Sequence, residues 1–259
     1  MSRKAERMVV ISVDLCRYSE ITAAQTATTG REQNLVVITN EAIHKSIIEP
    51  LMATARGNDD LRYFIKATGD GALVFFPADK AYAAIDYVVK FQSTAEAENR
   101  KILVEENRKR LLEEEENRRY QIDDNVFRFY RVGCAVGPIS IYIVSKHSGA
   151  DFAGLAIADS VRIESTGRAG ETLISQEVYS LLDKTRKKKF GRRRKVLGKH
   201  GSEKYMVRSI RPGLIAPWEI RRTRENRARV LSKWGVLALI PFLIYRFKMP
   251  IANFLQSLP

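Results

Sequence analysis

Cysteine is scarce: Cys16 and Cys134 are the only two in 259 residues, and no CxxC pair exists. That excludes a disulfide framework and fits a reducing compartment. No secretory signal opens the chain, because Met1–Arg7 is polar and a strand pattern follows at once, so a cytoplasmic protein is expected. Helix-turn-helix, zinc-finger and other specific nucleic-acid motifs are absent, so nucleic acid is not expected as a partner in spite of a net charge of +14. Long apolar runs are almost absent too. One stretch, Trp234–Tyr245 (WGVLALIPFLIY), is free of charge but falls short of the ~20 residues that span a bilayer.

A 45% hydrophobic and 29% charged composition excludes wholesale disorder, and 259 residues suffice to bury a full core. The positive charge is concentrated in Lys184–Lys195 (KTRKKKFGRRRK) and Arg221–Arg229 (RRTRENRAR). Such runs suit anionic lipid or phosphorylated ligands, and equally a solvated loop and helix face.

Between these extremes the chain alternates strand and helix patterns. Met8–Asp14 (MVVISVD) reads as a buried central strand ending in a carboxylate. The backbone N–H groups of Leu15–Ile21 then lead into a helix and suit phosphate oxygens. Gln33–Ala53 reads as a helix interrupted near Pro50. Arg62–Phe76 (RYFIKATGDGALVFF) reads as a hairpin turning at Gly69-Asp70-Gly71, its positive-φ positions met by glycine. Ala78–Tyr120 is one long helical pattern, amphipathic at first and then rich in Glu, Lys and Arg, which suits a solvated helix or a projecting arm. Phe127–Val144 reads as two strands or a bent hairpin around Gly137-Pro138, Lys146–Asp151 as a loop, and Leu155–Thr166 as a helix ended by Gly167. Glu171–Ser175 is strand-like, and Lys204–Val207 suits a last edge strand. The class is α+β or α/β.

Four segments stand out together: VVISVD at 9–14, IKATGD at 65–70, RVGCAVGP at 131–138, and D-x-x-G…R-I-E-S-T-G at 151–167. In this order and spacing they resemble the catalytic domain of the class III nucleotidyl cyclases, over roughly residues 8–208. The resemblance implies a ferredoxin-like α/β sandwich (α+β), here carrying a long charged helix. It implies domain boundaries at 1–208 and a basic, then hydrophobic, tail at 209–259.

It also implies a homodimer with shared active sites, a nucleoside triphosphate substrate, and two Mn²⁺ or Mg²⁺ ions per site. Asp14, the Leu15 backbone and Asp70 match the metal positions. Arg162 matches the transition-state arginine, and Lys199, in LGKHG, the lysine that holds the terminal phosphates. Lys66 and Asp151 match the base-reading pair of adenylate-type members.

The departures are Ala158 where the family has a ribose-orienting Asn, with Asp159 beside it, and Arg17-Tyr18 where it has Gly-Phe. Both metal carboxylates, Arg162 and Lys199 survive, so an active enzyme is expected. The chain enters its catalytic strand without a sensory domain, as do the pyrimidine cyclases of Pycsar antiphage systems. That likeness, with Tyr63 filling part of a purine-sized pocket, implies cyclic UMP or cyclic CMP made for a separate effector. Lys66 and Asp151 argue for cyclic AMP, and a non-catalytic nucleotide sensor is a third reading. The tail suits contact with the inner membrane face through residues 230–255, by spanning over Val230–Phe247 with Lys233 snorkelling or by interfacial anchoring; a helix packed on the domain or on a partner is the other option.

Overall fold

The computed structural model describes residues 3–29, 44–55, 64–115, 123–145, 149–197, 204–211, 213–223 and 225–226. The chain divides into two compact units, Met1–Ile215 and Ala216–Pro259. In the first, strands β1 (Arg3–Leu15), β2 (Phe64–Thr68), β3 (Gly71–Pro77), β4 (Tyr130–Ser145), β6 (Thr172–Ser175), β7 (Arg194–Leu197) and β8 (Lys204–Ile210) form one sheet in the order β2-β3-β1-β4-β6-β8-β7. β5 (Gly149–Ala153) adds to β4 off that path. Among the described residues only β4 and β6 run parallel, joined through α4 (Leu155–Ser165), the crossover that a parallel pair requires.

β1 lies between β3 and β4. Its apolar run is continuous because both of its faces are covered. Val9, Ile11 and Val13 pack in one buried cluster with Ala84, Ile85, Val88 and Phe91 of α3 (Ala81–Glu115). Met8 and Val10 pack in a second with Leu73, Phe75 and Ala135 of the sheet and Ala156 and Ile163 of α4. Two-sided burial erases the polar alternation that a one-sided strand shows. At 35 residues α3 is about 52 Å long. Its first half packs on the sheet, whereas its second half is laced by Glu96–Arg100, Glu105–Arg108 and similar short-range pairs. Each such pair adds only a few tenths of a kcal/mol.

α1 (Tyr18–Thr29) follows β1, and the expected helix over Gln33–Ala53 is described only from His44. There a π-helical turn (His44–Ile48) passes into α2 (Glu49–Ala55). Pro50 sits in the first turn of α2, where its missing N–H costs least. Its partner in an uninterrupted helix would be the Ser46 carbonyl, and that oxygen accepts the buried Tyr130 hydroxyl instead. Burial also pushes that phenol up.

Three expectations are corrected. β4 is one continuous strand rather than a hairpin. β1 pairs with it over Tyr130–Tyr142, and residues 135–139 have no strand partner on the other edge among the described residues, a place that tolerates Pro138. The supposed loop before α4 contains β5, paired with β4 from Ser140 to Ser145. The supposed edge strand is β8, which lies inside the sheet. The edge is β7, hidden in sequence because it falls in the basic run. No helix among the described residues is long and apolar enough to cross a membrane. The run Trp234–Tyr245 lies outside them.

Candidate active site

Asp14 comes one residue before the end of β1, opposite Gly71 on β3 and Arg131 on β4. Thr68 pairs with Gly71, so Gly69 and Asp70 form a two-residue loop, and Asp70 adjoins Asp14's cross-strand partner. Gly69 supplies φ +56°. Gly71 has no positive φ, contrary to expectation. It is needed because any Cβ there would overlap the Val13 carbonyl oxygen. One glycine turns the chain and the other seats the hairpin against β1. Burial raises the Asp14 carboxyl above its ordinary range, bonding to Arg131 opposes that, and the nearby Asp70 charge adds to it.

Two residues that the sequence reading quoted without a role complete this group. The Arg131 guanidinium binds the Asp14 carboxylate, and its Nε lies 2.9 Å from Glu164 Oε1. Glu164 is 5% exposed, and burial pushes its carboxyl up to about 8, with the Asp14 charge adding and Arg131 opposing. Two carboxyl groups, those of Asp14 and Glu164, thus share one guanidinium. A signal existed in the sequence. Gly133 on a strand marks a close approach, and a Cβ there would lie 2.7 Å from the Glu164 Cβ. Glu164 also falls on the buried stripe Ala156–Ser160–Ile163 of α4.

Among the described residues no three His, Cys, Asp or Glu side chains are arranged to hold a metal ion. Two carboxylates with substrate phosphates are nonetheless what Mg²⁺ or Mn²⁺ ordinarily takes, and the mutual repulsion of Asp14 and Asp70 is what a divalent cation relieves. The donor chemistry fits. Leu15 has no side-chain donor atom, so the carbonyl oxygen is the one group this residue could offer such an ion. The Cys16 N–H, suggested as a phosphate contact, is already donated to the Phe129 carbonyl at 2.9 Å. Arg17 adopts φ +62°, which explains a glycine at this position in the family pattern. Ion pairs to Glu20 (3.3 Å) and Asp124 (3.0 Å) hold it there.

Lys66 and Asp151, 85 residues apart, form an ion pair. Asp151 also accepts the Phe152 N–H at 2.9 Å, and its carboxyl is held low, by the Lys66 bond first and this one second. Phe152 stacks on Phe75 (4.1 Å between centroids) and tilts against Phe64, so an aromatic base carries the pair. Register puts Lys66 opposite Leu73, on the face of the sheet that Asp14 and Arg131 share. Two strand spacings separate it from β1, about 10 Å.

On α4, Arg162 Nη1 donates to the Tyr205 hydroxyl (3.4 Å) and lies 3.8 Å from Asp159 Oδ1, while Tyr205 donates to that same oxygen at 3.0 Å. The residue beside Ala158 therefore orients the arginine, which the sequence reading did not foresee. Tyr63 and Lys199 lie outside the described residues. Cavities of about 170 and 500 Å³ run along α3 and contain none of the candidate residues.

No protein-family model and no curated protein matches the sequence. Solved structures do match the fold. The adenylyl cyclase CyaB of P. aeruginosa is 18% identical over 83% of this chain and 99% of its own, at a TM-score of 0.54. The guanylate cyclase domain of RhGC from Catenaria anguillulae, in complex with GTP, is 16% identical over 81% and 98%, also at 0.54. The adenylate/guanylate cyclase/hydrolase of Silicibacter pomeroyi is 19% identical over 82% and 99%, at 0.52. The chain has the fold of the class III adenylyl and guanylyl cyclase domains.

Proposed function

We propose that this chain is a nucleotidyl cyclase that acts as a homodimer with shared sites. The observation that carries the reading is the convergence of Asp14, near the end of β1, and Asp70, in the adjoining β2–β3 turn, with Arg131 bound to Asp14. In the reaction the ribose 3′-hydroxyl loses its proton, its oxygen bonds to the α-phosphorus, the α–β bridging bond breaks, and pyrophosphate leaves. Two Mg²⁺ or Mn²⁺ ions held by Asp14, Asp70 and the Leu15 carbonyl would supply charge for the alkoxide and the leaving group.

Everything else falls to the chain. Arg131, already poised against carboxylates, offers a guanidinium to phosphate oxygens. Arg162, steadied by Asp159 and Tyr205, answers charge that grows at the transition state. Lys199 serves the terminal phosphates. Lys66 and Asp151 line the base pocket, with Tyr63 narrowing it. Asp14, Arg131 and Lys66 share one face of the sheet, and a second copy would complete the site.

The substrate we favour is a pyrimidine nucleotide, UTP or CTP. Its cyclic product would be a signal for a separate effector in antiphage defence, made in the cytoplasm with residues 230–255 at the inner membrane face. The formed Lys66–Asp151 pair favours the second reading, ATP to cyclic AMP, because a donor and an acceptor side by side suit an adenine edge.

Incubation with Mn²⁺ and each of ATP, GTP, CTP and UTP, with products resolved by mass, decides the base. Cyclic UMP or CMP supports the first reading and cyclic AMP the second. No product from any of the four overturns both. Mixing Asp70→Ala with Arg162→Ala chains tests sharing: activity returns if sites are shared and stays absent at every ratio if they are not.

A further inference from the structure

The basic run Lys184–Lys195 is not a loose loop. Asp183 caps α6 (Lys184–Lys187) by accepting the Arg186 N–H at 2.8 Å. Phe190 is buried in the core, and the Gly191 N–H donates to the Ser209 carbonyl at 2.9 Å. Arg194 donates to both oxygens of buried Glu171. Arg186 is neutralised by Asp86 and Asp183, and Arg208 lies over the Tyr179 ring at 4.0 Å, tying α5 (Gln176–Ser180) to β8. Once these are counted, Lys184, Lys188, Arg192, Arg193 and Lys195 stand exposed, with no carboxylate within ion-pair distance among the described residues. A fixed scaffold holds five uncompensated cations in place.

The adjoining sheet edge gives them a second character. Lys195 pairs with Met206, and Leu197 with Lys204. Cross-strand partners and alternate residues share a face, so two lysines and two aliphatic side chains alternate on one exposed surface. Leu197 is 54% and Met206 36% exposed. A solvated face has no need of exposed aliphatics between its charges. A nucleic-acid surface would offer free aromatics for stacking, and the aromatic here, Tyr179, is already covered by Arg208. Cations interleaved with aliphatics match the boundary between phosphate headgroups and acyl chains.

We infer that the β7–β8 face, with the loop that leads into it, is a docking surface for an anionic phospholipid bilayer. The surface is independent of the cyclase reading, since it uses none of the candidate active-site residues, and of the apolar tail, which is a separate segment.

The test uses the full chain and vesicles of phosphatidylcholine with or without phosphatidylglycerol, at physiological salt. Each cation near an anionic surface is worth about a five-fold change in partitioning, so Arg192→Ala/Arg193→Ala/Lys195→Ala should lose roughly 100-fold on the anionic vesicles alone. Arg192→Lys/Arg193→Lys should keep the binding, which separates charge from folding. Leu197→Ser/Met206→Ser should lower what remains at high salt, where charge is screened. Equal binding of the triple variant and the parent overturns the inference. So does parent protein that ignores both vesicles and instead loses affinity for duplex DNA or RNA with the triple change.

Discussion

Replacing Gly133 by alanine tests how α4 is held over the sheet. A Cβ at this position would overlap the Ser160 carbonyl oxygen and the Glu164 amide nitrogen, and would lie 2.7 Å from the Glu164 Cβ. Two of these three atoms are helix backbone, so no rotamer change relieves the overlap. The helix must retreat about 1 Å to reach ordinary contact. Overpacking of this kind costs typically 1–3 kcal/mol, and a backbone obstacle puts Gly133→Ala near the upper end, ~3 kcal/mol. That is a large share of a domain's 5–15 kcal/mol (roughly) total. The same retreat moves Arg162 and Glu164, and a misplacement of about 1 Å is worth on the order of 100-fold in rate.

Gly137 is the control on the same strand: its nearest obstacle is the Ala156 Cβ at 3.2 Å. Gly137→Ala should then stay within about 0.5 kcal/mol of the parent, helped by a less flexible unfolded chain. Urea unfolding followed by far-ultraviolet circular dichroism reads both as midpoint shifts at constant slope. A Gly133→Ala midpoint equal to the parent's, or an equal loss for Gly137→Ala, would refute the packing argument.

Glu164 predicts a pH effect. Its folded carboxyl titrates at about 8 against 4.5 unfolded, so the native state keeps a proton that the unfolded state has lost. Stability therefore falls as pH rises across that window, by about 5 kcal/mol at most. Glu164→Gln should flatten the fall; parallel stability–pH curves for parent and variant would count against it. At Arg17, held at φ +62°, Arg17→Ala loses the ion pairs but keeps the strain, whereas Arg17→Gly relieves it. Glycine should exceed alanine here by about 1 kcal/mol in thermal unfolding, and the opposite order would remove strain as the reason. Tyr205→Phe deletes the hydroxyl between Asp159 and Arg162. About 1 kcal/mol of stability and roughly ten-fold in kcat, with little change in KM, should go with it. An unaltered kcat would make Asp159 sufficient alone.

What the sequence by itself determined was local. The run Met8–Asp14 announced a strand covered on both sides, because apolar residues without alternation leave no face for water. Gly69-Asp70-Gly71 announced a hairpin tip, because only a tight turn needs that chemistry. The order of the motifs, with their acids, named the fold. Its errors were also local signals overruled by distant ones. Pro138 and Gly137 read as a turn, but pairing along β1 carried β4 straight through them. β7 looked like solvated charge until β8 lay beside it.

The partners of the acids belonged to tertiary structure alone. Arg131 and Glu164 face each other, and Asp14, only through the packing of α4 on β4. Lys66 reaches Asp151 only because β5 folds back on β4. Asp159 and Tyr205 meet only where β8 returns to the sheet. Turn chemistry and side-chain period act within a few residues and are written in the chain. Which strands lie side by side is settled by burial over the whole sheet, and the site's charges are set by that choice.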